Sequence, residues 1–243
     1  MAIKCILLYK LPKGVLPTKS DAERIISVLT EQLCCVQEGG RGTGGGLGEK
    51  QLEALINIYK QTQAPDLTAV ASPVSLTDVW AFRLVREAPS KTFLMIRLAG
   101  PRGGLRVTEA EPSIRSFLER RLDYRQRAQL AIQSYSWSMG DKHSDVTVKL
   151  LQVSQQAQTP KVLAVEVTYH PAVDLAAGGA VLAELAGRIA DLVGPEGPGQ
   201  PGSLVLLQPD YSRFNAEELP GAFGPMHIVV AYNELLAEGL GAR

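Results

Sequence analysis

Two stretches decide the fold: Asp145-Val146-Thr147-Val148-Lys149-Leu150 and Leu163-Ala164-Val165-Glu166-Val167-Thr168-Tyr169. In the first, Val146, Val148 and Leu150 alternate with polar partners. In the second, Leu163, Val165, Val167 and Tyr169 recur with the same period of two. Successive side chains of a strand point to opposite faces, so each run predicts a strand with an apolar face. The connection from Gln155 to Pro160 makes the two an antiparallel hairpin. Such alternation predicts one face on the core and one open to water. Glu166, between two valines, is expected on the water side.

Upstream, Ala2 to Lys10 reads as a strand ended by Leu11-Pro12-Lys13-Gly14. Ser20-Asp21-Ala22-Glu23 has the capping-box pattern, in which a hydroxyl and a carboxylate satisfy N–H groups at a helix start. Ile25, Leu29, Leu33 and Val36 continue it at helical spacing, predicting a helix over about Asp21 to Gln37. Gly39 to Gly48 (GGRGTGGGLG) holds seven glycines in ten residues, and backbone entropy predicts a flexible loop there. Strands are expected at Leu52 to Lys60, Val79 to Arg86, Thr92 to Leu98 and Leu105 to Thr108, the last after the Gly100-Pro101-Arg102-Gly103-Gly104 turn. Pro112 suits the first turn of a helix whose apolar stripe is Ile114, Phe117, Leu118 and Leu122.

Leu130 to Met139 is again a strand, whose Tyr135, Trp137 and Met139 stripe reads as core packing, with a partner surface as the alternative. After the hairpin, Val181, Leu182, Leu185, Ile189 and Leu192 mark a helix, Ser203 to Gln208 a last strand, and Val229, Tyr232, Leu235 and Leu236 a final helix. Consecutive hairpins imply an antiparallel sheet with helices packed on it, not alternating βαβ units. So many strands would curl into a barrel or half-barrel to limit exposed edges. The expected fold is α+β: an antiparallel β-barrel-like sheet with flanking helices, in one domain over residues 1–243.

Lys plus Arg (25) balance Asp plus Glu (25), which disfavours a duplex-binding protein, since phosphate contacts call for a basic excess. A local cluster does exist at Arg115, Arg120, Arg121, Arg125 and Arg127. Three cysteines without framework spacing fit a reducing compartment. The apolar run Cys5 to Tyr9 is too short for a signal segment or membrane span, and no lipidation motif is visible. A cytosolic or nuclear protein is expected.

No motif assembles a catalytic, cofactor or metal site. Gly40-x-Gly42-x-x-Gly45 matches a dinucleotide pattern formally, but that chemistry needs a strand before it and a helix after, and here a helix precedes. His143, His170 and His227 have no ligand partners at zinc spacing. Cys34 and Cys35, read on a helix, diverge by about 100° and cannot face one ion. The sharpest enzymatic candidate is Glu109-Ala110-Glu111, two carboxylates on one strand face that could hold a hard cation inside a barrel, as in tunnel-type triphosphatases. Pro112 follows at once, where that pattern wants more strand and a lysine, and acidic residues before a helix have an ordinary role beside its dipole.

Several collinear blocks carry a resemblance. They are Pro89-Ser90-Lys91-Thr92-Phe93 through Met95-Ile96-Arg97, Glu109 to Ile114, Leu118 to Arg127, and Ser134-Tyr135-Ser136-Trp137-Ser138-Met139-Gly140-Asp141. Asp145 to Lys149, Val165-Glu166-Val167-Thr168-Tyr169-His170-Pro171 and Gly224-Pro225-Met226-His227 with Tyr232 complete the set. Together they resemble the family of Mediator of RNA polymerase II transcription subunit 20, in its plant-like form, over roughly residues 85 to 240. Departures fall in the Gly39 to Gly48 patch, the Gly100 to Gly104 insert and the lengthened Lys142-His143-Ser144 turn. The resemblance implies a barrel-like fold akin to the tunnel triphosphatases but without their active site. It implies a nuclear, non-catalytic coactivator subunit in the Mediator head module. Its partners would be Mediator subunit 18 directly, the C-terminal helix of subunit 8 nearby, other head-module subunits, and RNA polymerase II indirectly. It carries no catalytic, cofactor, metal or interface residues across to this chain.

Overall fold

A computed structural model of the chain describes residues 2–37, 49–61, 75–99, 104–139, 144–155, 159–172, 174–194 and 202–241. The glycine-rich patch, the Gly100 to Gly103 part of the following turn and His143 lie outside the described residues. Among the described residues ten strands form one sheet: β1 (Ile3–Lys10), β2 (Cys35–Gln37), β3 (Gln51–Gln61), β4 (Ser75–Leu84), β5 (Thr92–Ala99), β6 (Leu105–Ala110), β7 (Tyr124–Met139), β8 (Val146–Gln155), β9 (Val162–Tyr169) and β10 (Ser203–Leu206). Four α-helices occur among the described residues: α1 (Lys19–Ser27), α2 (Ile114–Arg121), α3 (Leu175–Leu192) and α4 (Pro225–Leu240).

All pairings are antiparallel, in the order β10-β1-β9-β8-β7-β3-β4-β5-β6, with β2 added on β7. The fold is therefore α+β, as the alternation predicts, and the sheet is open, with β10 and β6 at its two ends. The hairpin that decided the reading is in place, with Val153 opposite Val162 and Val146 opposite Tyr169.

Helix α4 touches β1 and β9 near one end of the sheet and β5 and β6 at the other. A helix reaching both ends means that the sheet curls around it, so α4 lies on the concave face. Helix α3 packs against β1, β9 and β10. It does so from the other side: a Cβ on its Gly178 would collide with Ile3 and Ala172 and crowd Tyr169, whereas one on Gly239 of α4 would collide with Val162. Tyr169 and Val162 are an odd number of residues apart on β9, hence on opposite faces. Glycine at 178 is what lets α3 approach the sheet so closely. Helix α2 seals a smaller apolar cluster of Tyr59, Val79, Ala81, Leu94, Leu118 and Tyr124.

Several boundaries differ from expectation. The first helix is capped by Thr18, whose hydroxyl accepts from the Asp21 N–H while Asp21 accepts from the Thr18 N–H, so the box lies two residues before Ser20. That helix ends at Ser27 and runs into a wide π-type turn, Val28–Gln32. Cys34 then adopts a left-handed φ of 50°, and Cys35 to Gln37 pair with β7. The helical spacing of Leu33 and Val36 yields to strand pairing, which buries Cys35 and leaves Val36 exposed. Cys34 and Cys35 are thus separated by backbone geometry, one exposed and one buried. β7 begins at Tyr124, six residues earlier than the apolar run suggested. Tyr135, Trp137 and Met139 pack in the core, as expected.

The hairpin departs from its predicted exposure. β8 and β9 are buried on both faces apart from their ends. Glu166 is 0% exposed, not on a solvent face. The period-two pattern is correct, but the polar face lies beneath α4 instead of in water.

Candidate functional site

Residues opposite each other in an antiparallel pair share a face. Glu166 of β9 stands opposite Lys149 of β8 and Ile6 of β1. Lys4 lies two residues from Ile6 and therefore on the same side. Ser136 of β7 stands opposite Lys149, and Ser134 follows two residues away. The concave face thus carries a polar band across four strands.

Glu53 joins from β3, where the register shifts between Leu52 and Ala54. Such a bulge re-aims a side chain. Glu53 Oε1 accepts from Ser134 Oγ at 2.6 Å and from Lys149 Nζ at 2.9 Å. Lys4 Nζ donates to Glu166 Oε1 at 3.1 Å and to Glu87, which lies just past β4. Lys149 Nζ is 3.9 Å from Glu166 Oε1. Tyr232 of α4 closes the network from above, donating its hydroxyl to Glu166 Oε2 at 3.0 Å.

Burial alone would lift the Glu166 pKa, but Lys4 and Lys149, with the Lys4 and Tyr232 hydrogen bonds, hold it below the ordinary carboxylate value. Burial alone would lower Lys4, but Glu166 and Glu87 hold it above the ordinary lysine value. Burial, then the charges of Glu166, Glu53 and Glu87, pushes the Tyr232 phenol well up, so it stays a hydrogen-bond donor. Two lysines meet three carboxylates, and both lysines spend their charge on protein partners. Unlike an open cleft, the band is a closed set of ion pairs under a helix.

The residues singled out from the sequence lie elsewhere. Glu109, on edge strand β6, pairs with Lys91 at 2.7 Å and is 41% exposed. Glu111 falls beyond the end of β6 and is exposed. Neither carboxylate joins the concave-face band. Arg115 donates to Tyr59 Oη at 3.1 Å, while Arg120 and Arg121 on α2 and Arg125 and Arg127 on β7 are exposed. His170 is hydrogen-bonded to Thr147 at 2.9 Å. His227 stacks on Phe223, and its Nδ1 accepts from the Gly224 N–H. Burial lowers its pKa. Burial also pushes the Cys5 thiol up to about 12, helped by the Glu166 charge, and Cys35 to about 11, so neither is a thiolate nucleophile near neutral pH. Among the described residues no three His, Cys, Asp or Glu side chains converge as a metal site. No described helix is long and apolar enough to cross a membrane.

No motif singles out Lys4, Glu53 or Glu87, and Tyr232 stands in the sequence only as a helix-spaced residue of the resemblance blocks, with no polar role. One signal was available: Lys149 and Glu166 fall at mirrored positions of the hairpin, so their opposite charges face each other across it.

No family model and no curated protein matches the chain. Among solved structures, the chain is similar to one from the Schizosaccharomyces pombe Mediator head module, at 16% identity and a TM-score of 0.39, covering 84% of this chain and 100% of that one. It is also similar to the PH1819 protein of Pyrococcus horikoshii OT3, at 13% identity and a TM-score of 0.34, over 78% and 90% of the two chains. The S. pombe Pct1 RNA triphosphatase in complex with the Spt5 CTD gives 9% identity and a TM-score of 0.31, over 79% of each chain. All three likenesses are remote, and the architecture described above stands on the chain's own strand order.

Proposed function

We propose that this chain is a non-catalytic scaffold subunit of the Mediator coactivator, acting in the nucleus within the head module and pairing directly with Mediator subunit 18. The C-terminal helix of subunit 8 and other head-module subunits would lie around it, and its effect on RNA polymerase II would be indirect. The collinear blocks from Pro89 to Tyr232 support the family. The observation that carries the scaffold reading is the occupation of the concave face by α4, with Tyr232 bonded to Glu166 and both nearby lysines neutralised. A half-barrel filled by its own helix offers its outside, not its inside, to other molecules. A permanent partner interface commonly covers about 2,000 Å² or more in total. Co-expression with subunit 18 is expected to give one stoichiometric complex in size-exclusion chromatography. Two separate peaks at micromolar concentration would sink the idea.

A further inference from the structure

The loop between β1 and α1 meets the end of α4 at a groove of about 510 Å³. Its walls include Leu11, Pro12 and Val15 from the loop, and Val162 and Leu240 opposite. Val15 is 47% exposed and the adjoining Leu16 58%, the highest value among the exposed large apolar side chains of the described residues. Val15 stands on the groove wall and Leu16 is its exposed neighbour in sequence, so apolar surface continues from the groove onto the adjoining loop, which marks a contact surface more than scattered exposure does.

The loop is held in shape. The Val15 N–H donates to the Pro12 carbonyl at 3.0 Å, closing a turn whose Gly14 sits at φ +85°, a region open to glycine. Downstream, Pro17 is buried and Thr18 is locked into the α1 cap, while Tyr9 Oη donates to Asp21 at 2.8 Å. A surface already fixed in its binding shape loses little entropy when a partner arrives.

Charge selects the occupant. Three lysines line the groove, Lys10, Lys13 and Lys161, against one carboxylate, Glu238. Lys10 pairs with Glu238 at 3.5 Å, and Lys161 donates to the neutral Gln155 side chain at 2.7 Å. Lys13 makes no ion pair among the described residues. Among the described residues, Lys13 and Lys161 have no carboxylate partner beside this apolar wall.

We propose that this groove receives an acidic segment of a partner protein that inserts a large apolar side chain between the β1–α1 loop and the end of α4. Carboxylates on the segment would meet Lys13 and Lys161, while its anchor would cover Val15 and Leu16. The assignment is independent of the complex proposed above, because it rests on the groove's shape and charge alone.

The test is selection of a random 12-residue peptide library, displayed on phage, against the immobilised full chain, followed by fluorescence anisotropy of the enriched peptides. The expected winners carry a Leu, Phe or Trp flanked by Asp and Glu. Their affinity should fall at least about ten-fold on Leu16→Asp with Val15→Asp, and about three- to ten-fold on Lys13→Glu or Lys161→Glu, with a flatter salt dependence. These positions are exposed or at the groove rim, and the Lys13→Glu variant, matched in circular dichroism, separates lost charge from lost folding. Peptides without acidic enrichment, peptides indifferent to the four substitutions, or no enriched peptides at all would overturn the proposal. So would phosphatidylserine vesicles that bind the chain through Leu16 and displace the peptides, since the surface would then be a lipid contact.

Discussion

Glu166 and Glu109 are both strand carboxylates of one sheet, each ion-paired to lysine, and they differ in nearly everything else. Glu166 lies on a central strand beneath a helix, with two lysines and a tyrosine around it. Glu109 lies on edge strand β6, half in water, with one lysine. A motif search favours Glu109, because Glu-x-Glu looks like a cation site. Packing favours Glu166, because a buried charge must be matched by its surroundings or be expelled. The contrast shows that strand alternation assigns a residue to a face but says nothing of what covers that face.

The comparison breaks most easily at its buried end. Glu166→Ala should destabilise the chain by about 3–5 kcal/mol in urea unfolding, because it removes the fully buried carboxylate shared by Lys4, Lys149 and Tyr232, leaving Lys4 with Glu87 alone and Lys149 with Glu53 alone. A loss below about 1 kcal/mol would mean that water reaches the band and that α4 does not seal it. Tyr232→Phe removes one hydrogen bond to a buried carboxylate and keeps the ring. It should cost about 1.5–3 kcal/mol, and no change would break the link between α4 and the band.

Acid sharpens the same contrast. The folded-state pKa of Glu166 is lowered, so its stabilising contribution is present above its ordinary value of 4.5 and is lost as pH falls through the folded pKa. Lys4 is raised, so its contribution is full below about 10.5 and is lost as pH climbs through the folded value. The difference in urea midpoint between the wild type and Glu166→Gln should therefore shrink as pH drops below about 4.5. A constant difference down to pH 2 would contradict the assigned ion pairs.

The smallest effect belongs to the surface carboxylate. Glu109→Gln should change stability by about 0.5 kcal/mol or less, since exposed pairs are screened and costly to order. The folded wild type should release no phosphate from tripolyphosphate with manganese above background. Release abolished by Glu109→Gln with Glu111→Gln would restore the tunnel-phosphohydrolase reading.

Much of the architecture was legible because period-two alternation is a strong local signal. It gave the β8–β9 hairpin and, with the succession of strands, the antiparallel class. Where it failed, a distant partner decided. Cys35 to Gln37 left the helical pattern because β7 lies beside them. Glu53 faces inward because the β3–β7 register shifts there. The polar band stayed hidden because its members come from β1, β3, β7, β8, β9, α4 and the turn after β4, and of its charged members only Lys149 and Glu166 share a hairpin. Even these look like a solvated pair until α4, some sixty residues later, closes over them.

If the filled half-barrel works by holding a surface for other subunits, its company in the cell follows. The most direct test is affinity purification of the tagged full chain from nuclear extract, with the co-purifying proteins identified by mass spectrometry. The account predicts recovery of Mediator head-module subunits, with subunit 18 in stoichiometric amount. Recovery of the folded chain without subunit 18 or any other head-module subunit would contradict it.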